Sequence, residues 1–264
     1  MQLKAVWENN SDKIKCGTDK TWNEKQKQRI CIWAETLFLF FNYRLLFVVY
    51  CGKIREYFRR KIIMIAIIDY DAGNIKSVEK AMEHLGQEVC LTRDARTILS
   101  ADHVILPGVG SFGDAMEKLN HYNLVPVIQE VVKRDIPFLG ICLGLQLLFE
   151  SSEESPGVPG LGILKGKIVR FDDREGYKIP HMGWNSLHMV NGGRLFKGIP
   201  EQSYVYFVHS YYLKAEDESI VKATSDYANL IHASVEKGNV FACQFHPEKS
   251  SEVGLKILKN FAKL

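Results

Sequence analysis

One segment, Gly140-Ile141-Cys142-Leu143-Gly144, constrains the fold of this chain more than any other. An apolar run at 136–139 leads into it, and a helical-looking run at 145–150 leads out. The order strand, sharp turn, helix makes a Gly-x-Cys-x-Gly elbow. Small residues let the backbone turn that tightly and lift the central side chain clear of a sheet. A cysteine so placed stands at a helix start, where the positive end of the dipole favours a thiolate. The same turn aims the Leu143 amide at the point where an oxyanion would form. Cys142 therefore reads as a nucleophile.

A second segment, His246-Pro247-Glu248, offers a base and an acid to orient it. In an extended stretch, residues two apart share a side, and the proline restrains itself and its predecessor. The expectation is a Cys142–His246–Glu248 triad, the composition of a nucleophilic catalyst. A third segment, Pro107-Gly108-Val109-Gly110-Ser111-Phe112, follows the apolar strand at 104–106. Two glycines after a strand let backbone amides face a ligand, and the Val109 amide is the candidate second oxyanion donor.

The rest of the chain supplies a setting for these segments. Apolar positions Val78, Ala81, Met82 and Leu85 fall at helical spacing and predict a helix over 75–85. Strands are predicted at 65–68, 88–91, 104–106 and 138–141, with helices running to about 119 and over 124–134. This alternation implies a mainly parallel sheet with helices on both faces. Sites in such sheets lie at the carboxyl ends of strands, where both the elbow and the Pro107–Phe112 loop fall. Beyond the Pro/Gly-rich stretch at 156–160, short strands are predicted at 163–171, 204–213, 220–224, 230–235 and 240–245. This added portion reads as partly antiparallel, and a helix at 253–261 closes the chain. The fold class is thus α/β, one domain over 64–264.

The composition, 46% apolar and 25% charged, is that of a globular protein with ample core. The charge is unevenly placed. Residues 1–63 carry 13 basic and 6 acidic side chains; the remainder carries 21 and 25, leaving it mildly acidic. Nothing there suggests nucleic-acid binding. The six cysteines show no metal-ligand spacing, so no metal or cofactor is expected, and a reduced, cytoplasmic compartment suits a catalytic thiolate. Cys243, inside an apolar run, reads as a buried strand residue.

Residues 1–63 are set apart as an N-terminal extension. An apolar stretch at 30–51 has the length of a membrane span, ~20 residues. Glu35, Asn42 and Arg44 interrupt it, however, and a central charge costs roughly 2.5–3.5 kcal/mol. A membrane span is therefore disfavoured. Two readings stay open: sequence upstream of a start at Met64, or a hydrophobic helix.

From 64 to 264 the motifs resemble the class I (triad) glutamine amidotransferases. Gly-Ile-Cys-Leu-Gly-Leu-Gln at 140–146 and His-Pro-Glu at 246–248 carry the match. Asp69-Tyr70-Asp71-Ala72-Gly73-Asn74, the Pro-Gly-Val-Gly loop, His181-Met182-Gly183-Trp184-Asn185 and Phe207-Val208-His209-Ser210-Tyr211 narrow it to the glutaminase subunits of imidazole glycerol phosphate synthases. The resemblance implies a flavodoxin-like fold and glutamine hydrolysis through a thioester on Cys142. It also implies ammonia transfer to a (β/α)8-barrel cyclase partner in a heterodimer serving histidine biosynthesis. It further implies that Gly110, Gln146, Ser210 and Tyr211 contact glutamine, and that Trp184 and Lys249 face the cyclase. A related glutaminase amidating cell-surface sugars is the alternative acceptor system.

Overall fold

The computed structural model describes residues 63–264, so the expectations for the N-terminal extension lie outside the described residues. The chain begins its sheet with β1 (Met64–Ile68), followed by α1 (Ile75–His84), β2 (Glu88–Thr92), α2 (Ala95–Ser100) and β3 (His103–Leu106). Then come α3 (Phe112–His121), α4 (Val125–Lys133), β4 (Phe138–Ile141) and the short α5 (Leu143–Leu147). The second half is mostly strand: β5 (Ser151–Ser152), β6 (Gly166–Arg170), β7 (His181–Ser186), β8 (His188–Met189), β9 (Tyr204–His209) and β10 (Tyr211–Ala215). It ends with β11 (Val221–Asp226), β12 (Leu230–Lys237), β13 (Val240–Cys243) and α6 (Ser251–Phe261).

Eight strands form the central sheet in the order β2-β1-β3-β4-β13-β12-β11-β8. The first five are parallel, and the last three add antiparallel neighbours. The parallel strands read as continuous apolar runs because both faces are covered. In β1, Ala66 and Ile68 join one core with Phe112, Met116, Ile128 and Val131 of α3 and α4. Ile65 and Ile67 join the other, with Val78 and Met82 of α1 and Ile257 and Phe261 of α6. Period-2 alternation thus feeds two cores from one strand.

Strand pairing brings the distant motifs together. β13 lies parallel to β4 with Cys243 opposite Ile141, and β3 lies on the other side of β4 with Leu106 opposite Gly140. All three strands run the same way, so the segments that follow them emerge at one edge of the sheet.

The structure corrects several sequence expectations. The run at 204–213 is not one strand. β9 pairs with β7 in a two-stranded sheet, while β10 pairs with β6 in a three-stranded one, and Ser210 is the break between them. β7 was not expected, because Gly183 and Asn185 carry little strand propensity. α2 was also missed. It is a short helix of six residues, begun by Asp94, whose side chain accepts from the Thr97 amide.

Candidate active site

Cys142 stands between β4 and α5 with φ 53° and ψ −104°, a backbone state that a residue with a Cβ rarely adopts. Such a state costs on the order of 1–3 kcal/mol and persists only where its surroundings enforce it. The enforcement is visible. The Cys142 amide donates to the Cys243 carbonyl at 2.8 Å, holding the turn against β13. The flanking glycines serve close approach and not a special φ. A Cβ on Gly140 would lie 2.6 Å from the Gly144 carbonyl oxygen, and one on Gly144 would collide with the Leu106 carbonyl oxygen. Leu143 is the first residue of α5, where an amide has no partner within its own helix.

The Cys142 side chain enters a cavity of about 310 Å³. Val109, Gly110, Leu143, Gln146, Ser210 and Tyr211, all singled out in the sequence, line that one cavity. Gln146 is buried, and its amide donates to the Tyr211 carbonyl and to Gln244 Oε1, both at 3.1 Å. It ties the elbow helix to the strand that forms the far wall.

His246 and Glu248 lie behind the cavity, beside Val109 and Gly108. His246 Nδ1 donates to Glu248 Oε1 at 2.8 Å, and both side chains are almost wholly shielded from solvent. The geometry differs from the extended segment predicted. His246 is extended, but Pro247–Lys249 form a 3-10 turn that curls the glutamate back to the ring.

Burial pushes the His246 imidazole down, but the Cys142 sulfur and the Glu248 carboxylate outweigh it and hold it up at about 10. Only the Glu248 contact is a resting hydrogen bond. His246 Nε2 has no hydrogen-bond partner, and the Cys142 thiol lies 4.0 Å from the Val208 carbonyl instead. Such contacts are commonly loose without substrate and tighten on binding. Cys243 is fully buried in β13. Burial first, then the charges of Glu248 and Cys142, push its thiol well up, which keeps it protonated.

Five residues at the site have contacts to which the sequence reading assigned no role. Glu154 is the one carboxylate among the described residues that line the cavity; its Oε2 accepts from the Phe112 amide at 2.8 Å. It sits in a Ser/Glu stretch that reads as a polar loop. Gln244 donates to the Cys142 sulfur at 3.7 Å. His209 donates from Nδ1 to the Tyr211 carbonyl at 2.8 Å, so its Nε2 accepts from His181 Nδ1 at 3.1 Å. Burial keeps both rings neutral: it pushes His209 down to about 3 and His181 to about 4. Asn74 donates to Glu248 Oε1 at 2.9 Å.

Trp184 and Lys249 are exposed and away from the cavity. In the β7–β9 ribbon, Met182, Trp184 and Ser186 pair with Val208, Tyr206 and Tyr204 on the outer face. His181, Val205, Phe207 and His209 are buried on the inner one. The His246 amide donates to the Tyr206 carbonyl at 2.9 Å, so this ribbon adjoins the turn carrying Lys249.

Among the described residues, no helix is long and apolar enough to cross a membrane. A cysteine elbow at the sheet's carboxyl edge, with a His–Glu pair in the turn that follows the adjacent strand, defines a class of protein. The family described as "Glutamine amidotransferase class-I" matches residues 66–264. Solved structures share the fold. A crystal structure of a glutamine amidotransferase aligns with a TM-score of 0.59 at 20% identity, covering 75% of this chain and 99% of that one. PurLQS from Thermotoga maritima aligns at 0.57 and 22%, covering 76% and 98%.

Closer relatives resolve the branch. The imidazole glycerol phosphate synthase subunit HisH of Methanocaldococcus jannaschii is 50% identical over 204 residues, covering 76% of this chain and all of that protein. The HisH subunit of Bacillus cereus (strain G9842) is 54% identical over 198 residues, covering 75% and 93%. The chain belongs to the HisH branch of the class I glutamine amidotransferases.

Proposed function

We propose that this chain is the glutaminase subunit of an imidazole glycerol phosphate synthase, supplying ammonia for histidine biosynthesis. The observation that carries the reading is identity of about half the residues across essentially the full length of HisH subunits. The cytoplasm is the compartment that fits a working thiolate.

The chemistry assigned to the site runs as follows. Glutamine enters the cavity with its side-chain amide at Cys142. Gly110, Gln146, Ser210 and Tyr211 shape the pocket around it, and the Glu154 carboxylate suits the α-ammonium group. The Cys142 thiolate attacks the amide carbon, and the Val109 and Leu143 amides stabilise the oxyanion. His246 is held up at about 10, so it already carries the proton that the departing nitrogen needs. Transfer of that proton from Nε2 releases ammonia and leaves a glutamyl thioester. The now neutral His246 takes a proton from water, which attacks the thioester. Glutamate leaves, and the thiolate and imidazolium are restored. Glu248 holds the ring throughout.

The partner assigned is a cyclase subunit of (β/α)8-barrel form, joined as a heterodimer. The support is the exposed apolar face of Met182, Trp184 and Tyr204, at 62%, 52% and 59% exposure, beside the turn that bears Lys249. Exposed apolar side chains clustered on one ribbon mark a protein interface.

Cys142→Ala tests the reading. In the complex it abolishes glutamine-dependent synthesis and leaves synthesis from free ammonia intact. Loss of both would make Cys142 a structural residue.

A further inference from the structure

Asn74 occupies a position that sequence rules assign to helix capping, yet it does not cap. It is the residue before α1, where an asparagine normally accepts from the amides of the first turn. No such side-chain bond is present. Instead its Nδ2 donates to Glu248 Oε1 at 2.9 Å, and its Oδ1 accepts from Ser77 Oγ at 2.7 Å. With the His246–Glu248 contact this makes one continuous chain: Ser77, Asn74, Glu248, His246. The hydroxyl donation fixes which end of the Asn74 amide faces the carboxylate.

The acid depends on this contact. Among the described residues, Glu248 Oε1 takes both hydrogen bonds and Oε2 takes none. Without Asn74, the carboxylate would be held only by the ring it is meant to hold. The loop bearing Asn74 is itself braced. Arg93 bonds Asp69 at 2.9 Å and Asp71 at 2.6 Å, Lys118 donates to the Asp71 carbonyl at 2.8 Å, and Tyr70 donates to the Pro107 carbonyl at 2.9 Å. A Cβ on Gly73 would lie 2.8 Å from the Val109 side chain, so the loop abuts the oxyanion loop as well.

We propose that Asn74, oriented by Ser77, is a positioning residue that sets the Glu248 carboxylate and through it the His246 imidazole. It touches no substrate atom. This rests on the glutaminase reading of the site.

Asn74 has φ 64°, so alanine there would add backbone strain; glycine and aspartate tolerate that conformation. Asn74→Gly removes the amide and keeps the turn. Asn74→Asp keeps the shape but offers Glu248 no donor. The test measures glutamine hydrolysis by the full chain with its cyclase subunit. It also measures the rate of Cys142 alkylation by iodoacetamide against pH. Both variants are expected to lower kcat by about ten- to a hundredfold, as small misplacements of a reacting group do. KM for glutamine stays within about threefold on the same argument. The alkylation profile, which reads how the His246 ring influences the Cys142 sulfur, moves away from that of the wild type. Ser77→Ala gives a smaller loss, about two- to fivefold. Should Asn74→Gly fail to fold, Asn74→Asp carries the test. Folded variants with wild-type kcat overturn the proposal, as does a rise in KM with an unmoved alkylation profile. A wild-type complex that does not hydrolyse glutamine would instead sink the glutaminase reading, and the alkylation profile, which needs no glutamine, would still decide on Asn74.

Discussion

At Cys142 the strain sits on the proposed nucleophile itself, and its neighbours are small because backbone passes close by them. That assignment makes Gly144 the most sensitive position in the elbow. A methyl group there meets the Leu106 carbonyl oxygen, which belongs to a central strand and cannot move aside. Gly144→Ala is expected to destabilise the protein by about 1–3 kcal/mol, the usual cost of overpacking. For a domain of this size that lowers Tm by about 3–10 °C, readable by calorimetry. Glutaminase activity falls further than stability does, because relief of the clash shifts Cys142. An unchanged Tm would mean that the elbow is looser than its close contacts imply. Gly110 makes an instructive contrast. Its φ of 106° excludes other residues on conformational grounds, with open space where a Cβ would be.

At the scale of elements, the β7–β9 ribbon does two jobs through its two faces. Its inner face places His181 and His209 against Phe207 and fixes the strand end that leads into Ser210 and Tyr211. Its outer face carries the exposed apolar side chains. Alternation within one two-stranded ribbon thus links the cavity wall to the proposed docking surface. Trp184→Ala is expected to weaken cyclase binding by about 2 kcal/mol, some thirtyfold in Kd, as truncation of a central aromatic does. Titration calorimetry reads it directly. The isolated subunit's stability should change little, since Trp184 is half exposed and, among the described residues, its ring contact is with Tyr206. A wild-type Kd for the variant would move the interface elsewhere.

For the whole molecule, the buried histidines set opposite pH limits. His181 and His209 are held below their ordinary value of 6.5, so the unfolded chain binds protons that the folded one refuses. Stability therefore falls as pH drops from 6.5 towards 4, by up to about 1.4 kcal/mol per pH unit for each ring. His246 is held up, so its contribution is complete below 6.5 and is lost as pH rises towards about 10. Denaturant titrations across this range should show a maximum near 6.5. His181→Gln, which keeps a donor for His209, should reduce the acid slope; an unaltered slope would place the acid sensitivity on other groups.

The sequence by itself determined the elements whose signals are local. Apolar runs marked β1, β3, β4 and β13, and helical patterns marked α1, α4 and α6. The Gly-x-Cys-x-Gly turn and His-Pro-Glu named the residues that now stand together at one sheet edge, because each motif carries its chemistry within a few positions. The tertiary structure alone decided what depends on pairing between distant segments. The split between β9 and β10 follows from strand partners that no local pattern records. Glu154, Asn74 and the His181–His209 pair enter the site through contacts that span the fold, and a polar residue in a loop carries no mark of the neighbour it will meet. Side-chain periodicity fixes which face a residue takes, whereas only the packed sheet fixes what waits on the other side.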